Sequence, residues 1–430
     1  MDEYLKQHFR KLAVGLGIVA SSIFINNENR FLIKTDTANF IGNAVLTGTN
    51  ENKLLFDYLK FIMQKTDEFT KFKKGLVQAD STEKLNAKSK DIDVEVKAYQ
   101  HEIIKTHPES FMKQLLTLQQ EPEIPEAPVL GNRRKDSTFA YRYYKEHYWD
   151  GVDFSDEKNL HTPFFHDKLK IYINTIIIQH PDSIIKETDK LVEKTNGNKE
   201  MFKHIVWLIT NNFGTSTIMG MDAIYIHSLE KYYKTGQAFW VDSTDLKKMI
   251  ERCDILKPLL LNNVAPDLQM IDTTNLSAIE KLGFMGITTS EELTKKYYEN
   301  IQAVNKLSTS LYHVKAKYTI LLFWHPSCGY CKQAVPKIKK AYDDMKSEKI
   351  DVETFAVLTE DEYSEWKAYI KEHSLNWINV TDPVHLNNIN KKYDINSTPV
   401  IYILDENKRI IAKKLGAEQI EDFIKRQWKK

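Results

Sequence analysis

Apolar residues recur at intervals of three and four positions through the first half of the chain. The pattern begins near residue 54, where Leu55, Tyr58, Leu59 and Ile62 share one face of a predicted helix. Proline and glycine then separate one helix from the next. Residues 53–258 are therefore predicted to form a helical domain. Its further helices are predicted at 81–106, 111–119, 140–147, 163–179, 181–194, 199–212, 222–233 and 244–252.

The C-terminal part has a different pattern, in which uninterrupted apolar runs alternate with helical spacing. Tyr318–Trp324 is a run of β-branched and large apolar residues, which is typical of a strand buried on both faces. Helical spacing then begins at Cys331, and a second apolar run follows Pro399. Residues 259–430 are therefore predicted as an α/β domain, so the chain is multidomain with a mostly α-helical N-terminal domain. Further elements are predicted at 291–306, 361–373, 409–415 and 418–428.

Residues 1–52 follow neither pattern, and two interpretations of their start stay open. Three basic residues precede the short apolar run 12–20, which is typical of a targeting segment. Alternatively, residues 22–26 and 30–34 form a β-hairpin. In both cases the end of this region is predicted as a short β segment. No apolar run reaches the ~20 residues needed to cross a bilayer, so no transmembrane span is predicted.

Composition and charge exclude several classes of protein. The 430 residues are 42% hydrophobic, which is enough for two or three domains with apolar cores. Lys and Arg number 60 and Asp and Glu 59, so the net charge is close to zero and no nucleic-acid partner is predicted. Three cysteines in so long a chain do not form a disulfide scaffold.

Two of those cysteines, Cys328 and Cys331, are separated by two residues at the junction of a predicted strand and helix. The positive end of the helix dipole stabilises a thiolate, which is the reactive form of cysteine. Zinc would need four ligands and the chain has only one further cysteine, Cys253, so no metal is predicted. An inert structural disulfide stays open, although so short a loop constrains little of the unfolded chain.

A second motif, Thr398-Pro399, opens an apolar run, and such an X-Pro bond is a candidate for a cis peptide. The order strand, CxxC at a helix start, Thr-Pro before a strand, hairpin and helix resembles the thioredoxin fold. The C-terminal part resembles, more narrowly, the TlpA/ResA group of bacterial envelope thiol–disulfide oxidoreductases. The matching features are Ala265-Pro266-Asp267-Leu268, Phe323-Trp324, Pro336 and Thr398-Pro399.

This resemblance implies a role for five residues. It implies that Cys328 is the attacking thiol and that Cys331 resolves the mixed disulfide. It also implies that Thr398 and Pro399, together with Trp324, form the edge on which a substrate docks.

The chain departs from the family pattern where protons are handled. The TlpA/ResA group usually has a glutamate three residues after the second cysteine, and Ala334 stands there. Thioredoxins bury an aspartate six residues before the first cysteine, and Leu322 stands there. His325 is the nearest titratable replacement, because an ordinary imidazole pKa of about 6.5 suits proton transfer. A plain surface histidine in a loop is the other interpretation.

The sequence therefore predicts a thiol–disulfide oxidoreductase that exchanges electrons with protein cysteines through a CxxC dithiol and uses no cofactor. The resemblance implies a periplasmic or cell-envelope location, protein thiols and disulfides as substrates, and a membrane or periplasmic thiol as electron donor. The alternative is an envelope binding or scaffold protein whose thioredoxin-like domain is redox-slow or vestigial.

Overall fold

A computed structural model describes Phe24 and residues 30–76, 81–129, 131, 134–287 and 289–429. The chain divides into two compact units between Ile177 and Ile178. The first unit is mostly helical, and the second contains helices followed by a mixed sheet. The domain limits predicted from the sequence stay predictions. No helix in the described ranges combines the length and apolar character that a membrane span requires.

In the first unit a short hairpin precedes the helices. Strands β1 (Leu32–Lys34) and β2 (Val45–Thr47) pair antiparallel. Apart from Phe24 and residues 30–34, the predicted targeting segment and the alternative hairpin lie outside the described residues. The helices are α1 (Glu51–Lys74), α2 (Ser81–Thr106), α3 (Phe111–Gln119), α4 (Phe139–His147) and α5 (Pro163–Ile171).

The predicted apolar face of α1 is confirmed, since Leu55, Tyr58, Leu59 and Ile62 are all buried. They pack with residues of α2 and α3 in one apolar cluster. The predicted helix 163–179 is shorter than expected, because α5 is followed by one π-helical turn, Tyr172–Ile176, and then by extended backbone. Pro181 begins the next helix, and proline disfavours helical backbone in the residue before it.

The second unit begins with four helices, α6 (Pro181–Lys194), α7 (Lys199–Gly214), α8 (Asp222–Ser228) and α9 (Ser243–Leu256). A seven-stranded mixed sheet follows, with the strand order β4-β3-β7-β6-β5-β8-β9. Its strands are β3 (Gln269–Asp272), β4 (Ser308–Ser310), β5 (Tyr318–Trp324), β6 (Val352–Leu358), β7 (Ile378–Thr381), β8 (Val400–Asp405) and β9 (Ile410–Lys413). Its helices are α10 (Leu276–Lys281), α11 (Ser290–Leu307), α12 (Gly329–Ser347), α13 (Tyr363–Glu372), α14 (Ile389–Tyr393) and α15 (Ile420–Trp428).

Strand β5 is central and buried on both faces, as its apolar run predicts. Every residue of the strand is buried. Ile320, Leu322 and Trp324 face the core beneath α12, whereas Leu321 and Phe323 face the second apolar cluster on the opposite side. This double burial explains why a strand of this kind has no alternating polar positions.

Three loops meet at one end of the strands of the sheet. Strands β5 and β6 are parallel, with Trp324 opposite Leu358, so the chain leaves both strands at the same end. Strand β8 is antiparallel to β5, with Val400 opposite Phe323, so β8 begins where β5 ends. The loops around residues 325–328, 359–362 and 394–399 therefore lie together.

Candidate functional site

Cys328 caps the N-terminus of α12, as the position of the CxxC motif predicts. Its backbone is extended, and its sulfur accepts a hydrogen bond from the N–H of Cys331 at 3.3 Å. Cys328 is partly exposed, while Cys331 is fully buried, and both are free thiols. The two sulfurs thus have different surroundings although two residues separate them.

The pKa values of the two thiols are shifted in opposite directions. Burial alone would raise the pKa of Cys328, but the Thr398 and Cys331 side chains and the backbone N–H groups of Tyr330 and Cys331 outweigh it and lower that pKa. Burial raises the pKa of Cys331 to about 12, and its contact with Cys328 adds to the rise. At neutral pH, Cys328 is therefore the thiol that more readily ionises.

The Thr398–Pro399 peptide bond is cis, which confirms that sequence prediction. The Cys328 thiol donates to the Thr398 carbonyl oxygen at 3.3 Å. The predicted attacking thiol and the predicted docking motif are thus in direct contact. That Thr398 and Pro399 dock a substrate stays a prediction.

Trp324 does not fit the docking role that the resemblance implies. Its side chain is fully buried and packs against Tyr369 of α13, with ring centroids 5.3 Å apart. The side chain belongs to the core beneath the dithiol, because it is the last residue of a strand whose two faces are both covered.

His325 lies in a polar cluster that the sequence analysis did not identify. Its Nδ1 is 2.8 Å from the Ser327 hydroxyl, and that hydroxyl donates to the Glu362 carboxylate, 2.8 Å from each oxygen. Glu362 follows β6, so its proximity depends on the parallel pairing of β5 and β6. The acidic residues directly after an apolar run, Glu360-Asp361-Glu362, were the only sequence signal for it.

Cys253 lies elsewhere, on α9, and is fully buried. Burial raises the pKa of its thiol. It is therefore a small apolar side chain of the helical part. Within the described residues, no three His, Cys, Asp or Glu side chains are grouped so that they could hold a metal ion.

The fold and the site define a thioredoxin-fold domain with a CxxC pair, and comparisons with known proteins agree. Residues 316–410 match the family described as thioredoxin-like. Residues 78–257 match a family described as a domain of unknown function, DUF5106. The chain therefore contains a thioredoxin-like domain preceded by a helical region. Among curated proteins, no sequence matches this chain.

Several solved structures are similar. A thioredoxin-like protein from Bacteroides caccae covers 71% of this chain and 99% of its own, with 19% identity and a TM-score of 0.50. A domain of a possible thiol-disulfide isomerase from Cytophaga hutchinsonii covers 40% of this chain and 95% of its own, with 33% identity and a TM-score of 0.30. The thioredoxin domain of a thiol-disulfide oxidoreductase from Bacteroides vulgatus covers 39% and 96%, with 22% identity and a TM-score of 0.29.

Proposed function

We propose that this protein is a thiol–disulfide oxidoreductase that acts on protein cysteines, with Cys328 as the attacking thiol and Cys331 as the resolving thiol. The observation that supports the proposal best is the asymmetry of the pair. Cys328 is partly exposed and has a lowered pKa, whereas Cys331 is buried and has a pKa raised to about 12. An exchange enzyme needs this difference, because one thiol must be ionised to attack the substrate disulfide. The other must stay protonated until the mixed disulfide has formed.

The reaction follows from that order. The Cys328 thiolate attacks one sulfur of a substrate disulfide, a Cys328–substrate disulfide forms, and the other substrate sulfur leaves and takes a proton. Cys331 then loses its proton and attacks the Cys328 sulfur, which closes the Cys328–Cys331 disulfide and releases the second substrate thiol. Two electrons pass from the dithiol to the substrate, and an external dithiol restores the reduced pair. In the oxidising direction the same bonds form in reverse.

The surroundings of the pair fit a protein substrate. The Thr398 carbonyl contacts the attacking sulfur, and Thr398–Pro399 precedes β8 at the edge where the dithiol lies. Tyr330, between the two cysteines, has 77% of its surface exposed. We propose that a substrate chain docks on this edge. We also propose, from the resemblance of the motifs to envelope oxidoreductases, an envelope or periplasmic location and a thiol protein as electron donor.

The test is a single-turnover reaction of the reduced protein with oxidised insulin. Wild type and Cys253→Ala, which changes a buried cysteine outside the site, should react alike. Cys328→Ser should lose exchange by at least ~10³-fold, because no thiolate then starts the reaction. Cys331→Ser should accumulate a mixed disulfide with insulin that resists resolution. A Cys328→Ser protein that exchanges at the wild-type rate would refute the assignment.

The scaffold alternative predicts a different outcome of the same experiment. A binding protein with a vestigial dithiol would leave insulin oxidised in every variant, and wild-type Cys328 would label with iodoacetamide as an ordinary thiol does. The lowered pKa of Cys328 favours the enzyme over this alternative.

A further inference from the structure

The polar cluster of His325, Ser327 and Glu362 is assembled by the sheet. After the pairing of Trp324 with Leu358, the backbone N–H of Thr359 donates to the Trp324 carbonyl at 3.1 Å. This bond continues the parallel alignment one residue past the strands. The loop that follows β5 and the loop that follows β6 therefore leave the sheet side by side, and Glu362 reaches Ser327 across 35 positions of sequence.

The hydrogen bonds of Ser327 indicate which ring nitrogen of His325 carries a proton. The Ser327 hydroxyl has one proton, and an ionised carboxylate can only accept, so Ser327 donates to Glu362. Ser327 Oγ then accepts from His325 Nδ1, 2.8 Å away, and Nδ1 must carry a proton. In the neutral imidazole the lone pair is thus on Nε2. The Glu362 carboxylate lies 3.9 Å from Nδ1.

The backbone of His325 touches both cysteines. Its carbonyl oxygen accepts from the N–H of Cys328 at 3.3 Å, and a hydrogen bond from its backbone reaches the Cys331 sulfur. Tyr369 of α13 lies close enough to Cys331 for their charges to interact. Its ring packs at a tilt against His373, the residue after α13, with centroids 4.0 Å apart.

We propose that Ser327 and Glu362 are positioning residues, which hold His325 with a proton on Nδ1 so that the imidazole moves the protons of thiol–disulfide exchange at this site. The proposal rests on the proposed function. It supplies the acid–base group at a site where Ala334 and Leu322 occupy the positions of the usual acids.

Proton balance requires two transfers per turnover. When the Cys328 thiolate attacks, the imidazolium of His325 gives its proton to the leaving substrate thiolate. The neutral imidazole then takes the proton of Cys331, and the Cys331 sulfur attacks Cys328 and closes the disulfide. His325 ends protonated as it began. The second substrate sulfur leaves as a thiolate and takes its proton from water, because Cys328 entered the reaction already deprotonated, and the two electrons of the dithiol end on the two substrate sulfurs.

The first measurement is the tautomer of the neutral His325 ring, read from the ¹⁵N chemical shifts of the full chain by NMR, with His325→Gln to assign the signal. Glu362→Gln removes the carboxylate that accepts the Ser327 proton, so the share of the tautomer protonated on Nδ1 should fall. Glu365→Gln removes the same charge from the first turn of the same helix and should leave the tautomer unchanged. Glu362 makes no side-chain cap of α13, so its replacement does not remove a helix cap.

The second measurement is the single-turnover rate with oxidised insulin from pH 5 to pH 9. His325→Gln should lower the rate near pH 7 by roughly 10²-fold or more, the usual contribution of a general acid–base group. Glu362→Gln and Ser327→Ala should each lower it several-fold, and Glu362→Gln should add almost nothing in the His325→Gln background. Glu365→Gln should match the wild type. Thermal denaturation of each variant checks that all are folded.

The outcomes separate the two proposals. A wild-type protein that does not reduce insulin contradicts the proposed function itself. A wild-type protein that is active, together with Glu362→Gln and Glu365→Gln variants of identical pH dependence, overturns only the positioning role. Fully additive losses in the Glu362→Gln/His325→Gln double variant overturn it as well, because Glu362 would then act independently of His325.

Discussion

Two polar clusters in the second unit show how differently the same fold uses charge. The cluster beside the dithiol is partly open to water, with 21% of the His325 side chain and 35% of the Glu362 side chain exposed. The other cluster lies on β9, an edge strand of the sheet, where Lys413 forms an ion pair with Asp222 of α8. Each of these two side chains is 4% exposed. Lys413 also donates to the Leu259 carbonyl.

Solvent decides what each cluster can do. The open cluster is screened by water, so it adds little to stability, yet its groups can gain and lose protons during a reaction. Removing one partner of the buried pair has a large cost in stability, because the other would be an uncompensated ion in the core. Lys413 and Asp222 therefore hold α8 of the helical part on the edge of the sheet.

The largest expected effect is the difference in reactivity between the two thiols. The pKa of Cys331 is raised to about 12, whereas that of Cys328 is lowered, so their thiolate populations at neutral pH should differ by at least ~10³-fold. Iodoacetamide labelling with mass-spectrometric readout should show Cys328 reacting with a midpoint below the usual ~8.5. Labelling should fall as pH falls through that midpoint, because protonation removes the thiolate.

The buried Lys413–Asp222 pair should have no influence on the difference in reactivity between Cys328 and Cys331. Lys413→Met should leave the pH midpoint of Cys328 labelling unchanged under conditions where the protein is folded. Equal labelling of both cysteines at pH 7 in the wild type would contradict the asymmetry on which the proposed reaction depends.

The second effect is the loss of stability when the buried pair is broken. Lys413→Met leaves Asp222 buried and unpaired, which should lower the free energy of unfolding by about 3–5 kcal/mol. Lys248→Met, in the exposed pair with Asp245 on α9, should change it by less than ~1 kcal/mol. Urea denaturation of the full chain, followed by tryptophan fluorescence, measures both changes.

A double variant sharpens this test. Asp222→Leu combined with Lys413→Met removes both charges, so it should recover most of the loss, because apolar replacement of a whole buried pair is often neutral. One Asp222 oxygen has no hydrogen-bond partner, which adds to the cost of keeping the carboxylate buried. Additive losses in the double variant would mean that the two residues do not act as a pair.

The sequence predicted what depends on local pattern. The apolar run Tyr318–Trp324 is confirmed as strand β5, with the same first and last residues. The long helix predicted at 81–106 is confirmed as well. The cis bond before Pro399 was also predicted, because its motif is local. These features follow from residues that are neighbours in the chain.

What the sequence could not predict depends on which strands pair. Glu362 and Ser327 meet only because β5 and β6 are parallel and aligned, and Asp222 meets Lys413 only because α8 packs against β9. The docking role of Trp324 came from the resemblance alone, whereas the apolar run Tyr318–Trp324 already predicts a strand buried on both faces, and the side chain is buried.

A smaller effect is expected where α9 contacts the loop before Pro399. Arg252 donates to the Gly214 carbonyl at 3.1 Å and to Asp394 at 3.5 Å. Arg252→Lys replaces the two guanidinium nitrogens that make these bonds by one nitrogen with a different geometry, so the free energy of unfolding should fall by about 1 kcal/mol. Arg426→Lys, at an exposed position of α15, is the matched control and should change it by only a few tenths. A loss in Arg252→Lys no larger than in Arg426→Lys would show that these bonds add nothing to stability.

The smallest effect on stability is expected at Tyr330, where the site is most open. Its side chain is 77% exposed, so Tyr330→Ala should change the free energy of unfolding by less than ~0.5 kcal/mol. The backbone N–H of residue 330 helps to lower the pKa of Cys328, and alanine keeps that group, so the midpoint of Cys328 labelling should stay the same.

The rate with oxidised insulin should nevertheless fall several-fold relative to the rate with a small disulfide such as oxidised glutathione. An exposed aromatic side chain next to the attacking sulfur offers contact area only to a large substrate. Tyr298→Ala, which removes another exposed tyrosine on α11, should leave that ratio unchanged; an equal fall in both variants would place substrate docking elsewhere on the domain.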